Sequence, residues 1–135
     1  MSEYGLTPYL QMAGTAREAL TAYAALFGSD LQLHTFAEFG RDDGPTEAIA
    51  HGVLSGRVAL SAADAATGEE TFSSTGLFFS LLGTGSPEES HRWFDALAEG
   101  GTVIDPLQQR PWNGWDGQVR DRFGLTWLIG YELGD

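Results

Sequence analysis

Histidine is the side chain best suited to proton transfer near neutral pH, and this sequence has three histidines and no cysteine. His51 lies in an apolar, strand-like run and is the candidate for ligand contact or general acid–base chemistry. We expect His34 to be exposed in a neighbouring strand and His91, next to Arg92 within a helix, to face solvent. The lack of cysteine excludes disulfides, thiolate metal ligands and a cysteine nucleophile.

A second candidate site is the stretch QQRPWNGWDGQVRDRFGLTW, residues 108–127, which holds three of the chain's tryptophans. Trp112 and Trp115 lie on a connection rich in glycine and proline. They could cover a bound ligand, or they could be buried against a second copy of the chain, because tryptophan is enriched at interfaces. Trp127 belongs to a strand-like run and is expected in the core.

Composition indicates one globular domain over residues 1–135, with 42% hydrophobic residues. No run approaches the ~18 apolar residues of a membrane span, and the chain does not open with a basic region followed by an apolar one. We therefore expect a cytoplasmic protein without a membrane partner. The net charge of −12 repels phosphate backbones, so nucleic acid is not an expected partner, whereas cationic ligands could be attracted.

Two segments with a shared pattern predict two helices, GTAREALTAYAALFGSDL and GSPEESHRWFDALAEGGTV. In each, a hydroxyl residue is followed three positions later by glutamate, as Thr15 by Glu18 and Ser86 by Glu89. That is the spacing of a capping box, in which each side chain binds the other residue's backbone N–H. Apolar residues then recur at helical spacing, and each segment ends at glycine.

Strand-like runs surround both helices, so each half is expected to fold as β-α-β-β-β. Residues 63–74 are small and polar and predict a linker. The linker divides the domain into module one, about 5–63, and module two, about 75–133. The expected hairpin turns are Ser55-Gly56 and the segment 121–124.

The ordered segments PYLQMAGTAREALTAYAALFG, AHGVLSGRVALSAAD, SHRWFDALAEGGTVIDPLQ and DRFGLTWLI resemble the vicinal-oxygen-chelate superfamily of glyoxalase, bleomycin-resistance and extradiol-dioxygenase proteins. They are most similar to its PhnB-like branch. The resemblance implies an α+β glyoxalase-like fold, in which two βαβββ modules form curled, cup-like mixed sheets with helices on the outer face. It also implies a homodimer.

Enzymes of that superfamily commonly hold a divalent metal with side chains from four strand positions. Counting from shared landmarks places these positions at or near Pro8, Leu60, Leu77 and Leu128. None of the four can ligate a metal. We therefore expect no metal and no cofactor, and neither glyoxalase nor extradiol dioxygenase activity, because both reactions need the metal to polarise the substrate.

Strand alternation predicts which side chains face the cup. The landmark count places Leu60 in the cup. If Leu54 pairs with Arg57 across the Ser55-Gly56 turn, then His51 lies opposite Leu60 and also enters the cup. The ligand-binding residues expected from this reasoning are His51, Trp112, Trp115, Met12, Leu60, Leu77, Phe79 and Leu128.

The leading functional hypothesis is a metal-independent small-molecule-binding protein, which holds an apolar or aromatic ligand of unknown identity in the cup. The first alternative is an enzyme of unknown reaction that uses His51 or an unorthodox metal site. The second is an antibiotic-sequestering resistance protein, which would hold a cationic drug by its negative charge and lose affinity as salt rises.

Overall fold

The computed structural model describes residues 5–133, which fall into two compact units that divide between Phe72 and Ser73. Each unit has one helix and one four-stranded mixed sheet, in the chain order β-α-β-β-β. The described strands form no closed barrel, and the expected α+β fold of two βαβββ modules is confirmed. Neither described helix is long and apolar enough to cross a membrane.

In the N-terminal unit the strand order is β1-β4-β3-β2, so β4 and β3 are central. Strand β1 runs parallel to β4, whereas β3 is antiparallel to both β2 and β4. The elements are β1 Tyr9–Met12, α1 Ala16–Phe27, β2 Asp30–Thr35, β3 Ile49–Ser55 and β4 Leu60–Asp64.

A buried carboxylate, rather than a capping box, holds the start of α1. Thr15 precedes the helix with φ −113° and ψ 10°, and its side chain makes no capping hydrogen bond, so the expected box was wrong here. The Asp64 carboxylate instead accepts from the Ala16 N–H at 2.9 Å and from the Ile49 N–H at 2.8 Å. One side chain thus joins the start of the helix and the start of β3 to the end of β4.

The register between β3 and β4 also differs from the expectation. Leu54 pairs with Leu60 rather than with Arg57, so five residues instead of two separate the paired positions. Gly52 alternates onto the same face as Leu54, and a Cβ built on Gly52 would lie 2.5 Å from Leu20 Cδ1 of α1. This face therefore packs toward the helix. Leu60 belongs to the core and not to a ligand cup.

The C-terminal unit repeats this arrangement with the order β5-β8-β7-β6. Strand β5 runs parallel to β8, and β7 is antiparallel to both β6 and β8. The elements are β5 Phe79–Leu82, α2 Pro87–Ala98, β6 Thr102–Gln109, β7 Gly114–Arg120 and β8 Thr126–Glu132.

Helix α2 begins with the capping box that the sequence predicts. Ser86 Oγ accepts from the Glu89 N–H at 3.1 Å, and the Ser86 N–H donates to Glu89 Oε1 at 3.0 Å. Pro87 is the first helical residue, where its missing N–H leaves no bond unmade. The helix packs through a face that includes the fully buried Trp93.

The β7–β8 hairpin is organised by buried Asp121. Its carboxylate accepts from the backbone N–H groups of Phe123 at 2.8 Å and Leu125 at 3.1 Å, and from Trp127 Nε1 at 2.8 Å. The Gly124 N–H closes the turn onto the Asp121 carbonyl, with Gly124 at φ 93°. Both the expected turn and the core position of Trp127 are confirmed.

Candidate functional site

The open face of the N-terminal sheet carries a tyrosine–histidine pair. Tyr9 Oη lies 2.9 Å from His51 Nδ1, and the two rings stack with centroids 5.7 Å apart. Strand β4 separates the strands of these residues, and the partner of Tyr9 on β4 is the small Ser61, so the rings can meet above it. Burial raises the pKa of Tyr9, and the charge of Arg41 opposes that shift. The pair joins a phenol and an imidazole ring by one hydrogen bond.

A hollow of 710 Å³ lies on the same unit, beside the β3–β4 connection. Its polar side chains include Thr7, Gln32 and Ser61, and Val53 is an apolar member. Val53 alternates with Gly52 and therefore points to the same open face as His51. Among residues 5–133 no aromatic side chain lines this hollow, so these residues offer hydrogen bonds rather than ring stacking.

The C-terminal unit has a cleft of a different character, with a volume of 440 Å³. It lies where β5 and β8 end and β7 begins. Two glycines and six larger residues form its lining. The larger residues are Leu82, Trp112, Trp115, Asp116, Tyr131 and Glu132.

A tight turn between β6 and β7 positions Trp112. The Arg110 N–H donates to the Gly114 carbonyl at 2.7 Å, and the Asn113 N–H donates to the Arg110 carbonyl at 3.2 Å. Pro111 takes the second turn position, which its fixed φ suits, and Asn113 is left-handed at φ 67°. Trp112 is 65% exposed, and its Nε1 lies 2.9 Å from where a Cβ on Gly114 would be. The indole therefore lies over a bare glycine.

Behind the cleft, Trp115, Tyr131 and His91 form a packed cluster. The Trp115 and Tyr131 rings stack at 6.0 Å with planes 11° apart, and Tyr131 Oη lies 2.8 Å from His91 Nε2. The His91 ring meets Trp115 edge-on at 5.4 Å. The expectation that His91 faces solvent was wrong. His91 lies one turn before buried Phe94, at the edge of the same helix face.

Charge around the cleft is arranged about Arg110. Its Nε donates to Asp116 Oδ1 at 2.7 Å, and a terminal nitrogen donates to Asp105 Oδ2 at 2.6 Å. These hydrogen bonds, the one to Asp116 first, raise the pKa of the guanidinium. Burial, aided by the charge of Glu88, raises the pKa of Tyr131. The cation beside the cleft is thus held by two acids, and the phenol behind the cleft keeps its proton at neutral pH.

Two of the side chains expected at the site, Trp112 and Trp115, line one cleft. Only Trp112 lies on the connection, because β7 begins at Gly114 and includes Trp115. His51 points to the open face of its sheet, as expected, but it belongs to the other unit.

Met12, like Leu60, is a core residue rather than a cup residue. Met12 pairs with Asp64 on β4, and Asp64 alternates onto the same face as Leu60. Met12 is only 4% exposed and Leu60 only 2%. The expectation for both was wrong because it began from the landmark count that put Leu60 in the cup, whereas the pairing of Leu60 with Leu54 puts this face toward the helix.

In the C-terminal unit the face of Phe79 was also assigned wrongly. Phe79 pairs with Trp127 on β8, and their ring centroids are 5.5 Å apart. Because Trp127 is buried, its partner Phe79 lies on the core side of the sheet as well. Leu77 precedes β5 and is 53% exposed. Leu128 alternates with Trp127 and faces away from it, as expected, and is partly exposed.

The described side chains do not fit a divalent metal of the superfamily's kind. Within residues 5–133, no three His, Cys, Asp or Glu side chains come together where an ion could bind. Leu60 lies in the core, and Leu77 lies outside any strand. We therefore assign no reaction step of this chain to a metal ion.

Two tyrosines of these sites were missed by the reasoning from sequence. Tyr131 alternates with Trp127 and Ile129 on β8, so the pattern of that strand already places it beside the core. Tyr9 alternates with buried Leu10, and would have been assigned to the open face once β1 was given the correct orientation.

Comparison with known proteins gives relatives along nearly the whole chain. Protein PA1353 from Pseudomonas aeruginosa is 34% identical, with a TM-score of 0.79 over 96% of this chain and 98% of its own. Protein YjdN of Escherichia coli (strain K12) is 29% identical over 139 residues, covering 92% of each chain. The PhnB protein from Bacillus cereus is 21% identical, with a TM-score of 0.80 over 95% of this chain and 99% of its own.

No family model matches the sequence. The likeness to the Bacillus cereus protein shows the fold. The identity with the Pseudomonas protein over nearly the whole chain shows that these two chains belong to one family. Solved structures described as glyoxalase/bleomycin resistance proteins share the fold as well. The chain belongs to one family with the Pseudomonas protein, and its fold is that of PhnB and glyoxalase/bleomycin resistance proteins, as the resemblance in the sequence implies.

Proposed function

We propose that this protein binds a small apolar or aromatic molecule in the cleft of its C-terminal unit, without a metal ion in the site. The observation that carries the proposal is the grouping of Trp112, Trp115, Tyr131 and Leu82 around one 440 Å³ space. Small-molecule sites are typically apolar clefts of ~300–1,000 Å³ with a few polar groups that orient the ligand. The cleft has this size and this composition.

The exposed apolar surface of Trp112 supplies the driving force for ligand binding. Its indole is 65% exposed although it lies against the backbone of Gly114, so a large apolar surface remains in water. A ligand that covers about 100 Å² of apolar surface would gain roughly 2.5 kcal/mol from that burial alone. Trp115 and Tyr131 are already stacked and form a rigid wall, so little side-chain freedom is lost on their side.

Tryptophan signals provide the test, because the four tryptophans divide into two classes. Trp93 and Trp127 are buried in the core, whereas Trp112 and Trp115 line the cleft. A library of aromatic metabolites should yield ligands that shift the indole N–H resonances of the second class only. Trp112→Phe should weaken each ligand several-fold. If no compound shifts these resonances, or if Trp112→Phe leaves every affinity unchanged, the proposal fails.

A second candidate function is supported by the Tyr9–His51 hydrogen bond. A phenol 2.9 Å from an imidazole nitrogen is an arrangement that can donate and accept a proton at a bound substrate. Each compound of the aromatic library, whether or not it binds the C-terminal cleft, would be incubated with the protein in D₂O and followed by NMR. Catalysed exchange or conversion that is lost in His51→Gln would support an enzyme. If no compound of the library changes, the protein is a binder only.

A further inference from the structure

We infer that the C-terminal cleft selects organic cations, in which a methylated ammonium group adjoins an apolar or aromatic part. This inference rests on the proposed function and adds the charge of the ligand. It follows from three features of the cleft, namely its carboxylates, the pairing of its neighbouring base, and the aromatic face that remains open.

The first feature is the charge of the lining. Asp116 and Glu132 both line the cleft, and no lysine or arginine is among its lining residues. Glu132 is the exposed last residue of β8, so its carboxylate stands at the mouth. A cleft that contains only one sign of charge concentrates ligands of the opposite sign.

The second feature is that the base beside the cleft is already neutralised. Arg110 lies 2.6 Å from Asp105 and 2.7 Å from Asp116, in each case nitrogen to oxygen. Arg110 is paired with two carboxylates, and Glu132 adds a third to the lining of the cleft, so the local net charge is negative. The Arg110 Nε bond engages Oδ1 of Asp116, and within residues 5–133 the Oδ2 atom of Asp116 makes no hydrogen bond. That oxygen is available to a ligand cation.

The third feature is the aromatic wall. Trp115 and Tyr131 stack on each other, while Trp112 lies over bare Gly114 and keeps an open ring face. Cations within ~6 Å of an indole centroid are attracted by its ring electrons, and methylated ammonium groups suit such sites because they are weakly hydrated. A neutral ligand would stack equally well on Trp112 but would gain nothing from the two carboxylates.

Two probes of matched shape test the inference, (4-hydroxyphenyl)trimethylammonium and 4-tert-butylphenol, which differ in a single nitrogen-for-carbon exchange. At low salt the cation should bind about tenfold more tightly, as measured by shifts of the Trp112 and Trp115 indole N–H resonances. That advantage should shrink at high salt, because the carboxylate at the mouth is exposed.

Glu132→Gln should weaken the cation several-fold and leave the neutral probe unchanged. Asp42→Asn is the matched control, because it removes one exposed carboxylate from the N-terminal unit and should change neither affinity. Trp112→Phe should weaken both probes.

The outcomes separate the inference from the function beneath it. If the neutral probe binds as tightly as the cation, the selection for cations is overturned and the aromatic site stands. If the cation binds without moving the Trp112 and Trp115 resonances, its site lies elsewhere and the inference is also overturned. If neither these probes nor the aromatic library binds, the proposed function itself fails.

Discussion

The two units share a strand order and a twelve-residue helix, yet they expose their reactive side chains on different surfaces. The N-terminal unit displays Tyr9 and His51 on the open face of its sheet. The C-terminal unit places Tyr131 and His91 on the helix side, where they adjoin the cleft. Both units therefore join a tyrosine to a histidine, but on opposite sides of equivalent sheets.

One pair of equivalent helix positions explains part of this difference. Alignment of the two capping-box segments places Leu20 of α1 with His91 of α2. Leu20 fills the space above Gly52, so the helix side of the first sheet is a sealed apolar layer. His91 is polar and partly buried, and its side chain forms a hydrogen bond with Tyr131. A single change of residue type thus decides whether the helix layer is closed or carries a polar group to its edge.

The largest effects on stability are expected at two buried aspartates, one in each unit. Each acts as an internal clamp, because its carboxylate holds separate segments of the unit together by hydrogen bonds. Asp121→Ala should lower the free energy of unfolding by about 3 kcal/mol, because it leaves one buried and one part-buried backbone N–H and a buried indole N–H without their acceptor. Asp64→Ala should lower it by roughly 2 kcal/mol, because two backbone N–H groups lose theirs. Urea denaturation measures both values.

Asp42→Ala serves as the exposed control and should stay within about 0.5 kcal/mol of the native protein. The comparison of the units would break if the Asp64 variant were as stable as this control, since α1 would then need no clamp.

The next largest effect on stability is expected at the first turns of the two helices, where the two units should differ. Ser86→Ala should lower the free energy of unfolding by about 1 kcal/mol, because it removes half of the capping box of α2. Thr15→Ala removes a hydroxyl from the equivalent position of α1, where no capping bond exists, and should change stability by less than about 0.5 kcal/mol. Equal losses in the two variants, in matched urea titrations, would show that the capping difference between the units is not real.

Much of this fold was predictable because its signals are local. The capping box at Ser86, the left-handed glycine at Gly28 and the turn that begins at Asp121 are each decided within a few residues. Alternation within β8 likewise placed Trp127 in the core.

The faces of β3 and β4 could not be predicted in the same way, because they depend on the length of the connection between the strands. Five residues, rather than two, separate the paired positions Leu54 and Leu60, and this shift by an odd number moves every residue of β4 to the opposite face relative to the expectation. The clamp at Asp64 was equally hidden, since Ala16 and Ile49 are brought to it only by the tertiary fold. For this reason the sequence predicted only part of the lining of the cleft. Trp112 is conspicuous in the sequence, whereas the approach of Tyr131 to Trp115 depends on strand pairing.

The pH dependence of stability should distinguish the two tyrosines. Burial, aided by Glu88, raises the pKa of Tyr131 above its ordinary value of 10.0, so the folded chain holds this proton more tightly than the unfolded chain. The resulting stability is present below pH 10 and is lost as pH rises through the folded pKa. Tyr131→Phe should flatten the fall in the free energy of unfolding above pH 10. Tyr9→Phe should flatten it less, because Arg41 opposes the shift at Tyr9. The reverse order would contradict this assignment.

The smallest expected effect tests the two tyrosine–histidine pairs directly. Tyr9→Phe removes one hydrogen bond between partly exposed side chains and should lower the free energy of unfolding by only about 0.5 kcal/mol. The imidazole ¹⁵N resonances are more sensitive, because the bonded ring nitrogen loses its partner. Tyr9→Phe should shift Nδ1 of His51 and leave His91 unmoved, whereas Tyr131→Phe should shift Nε2 of His91 and leave His51 unmoved. A shift of both histidines in either variant would mean that the two pairs are coupled rather than independent, and the contrast between an open-face pair and a helix-side pair would have to be abandoned.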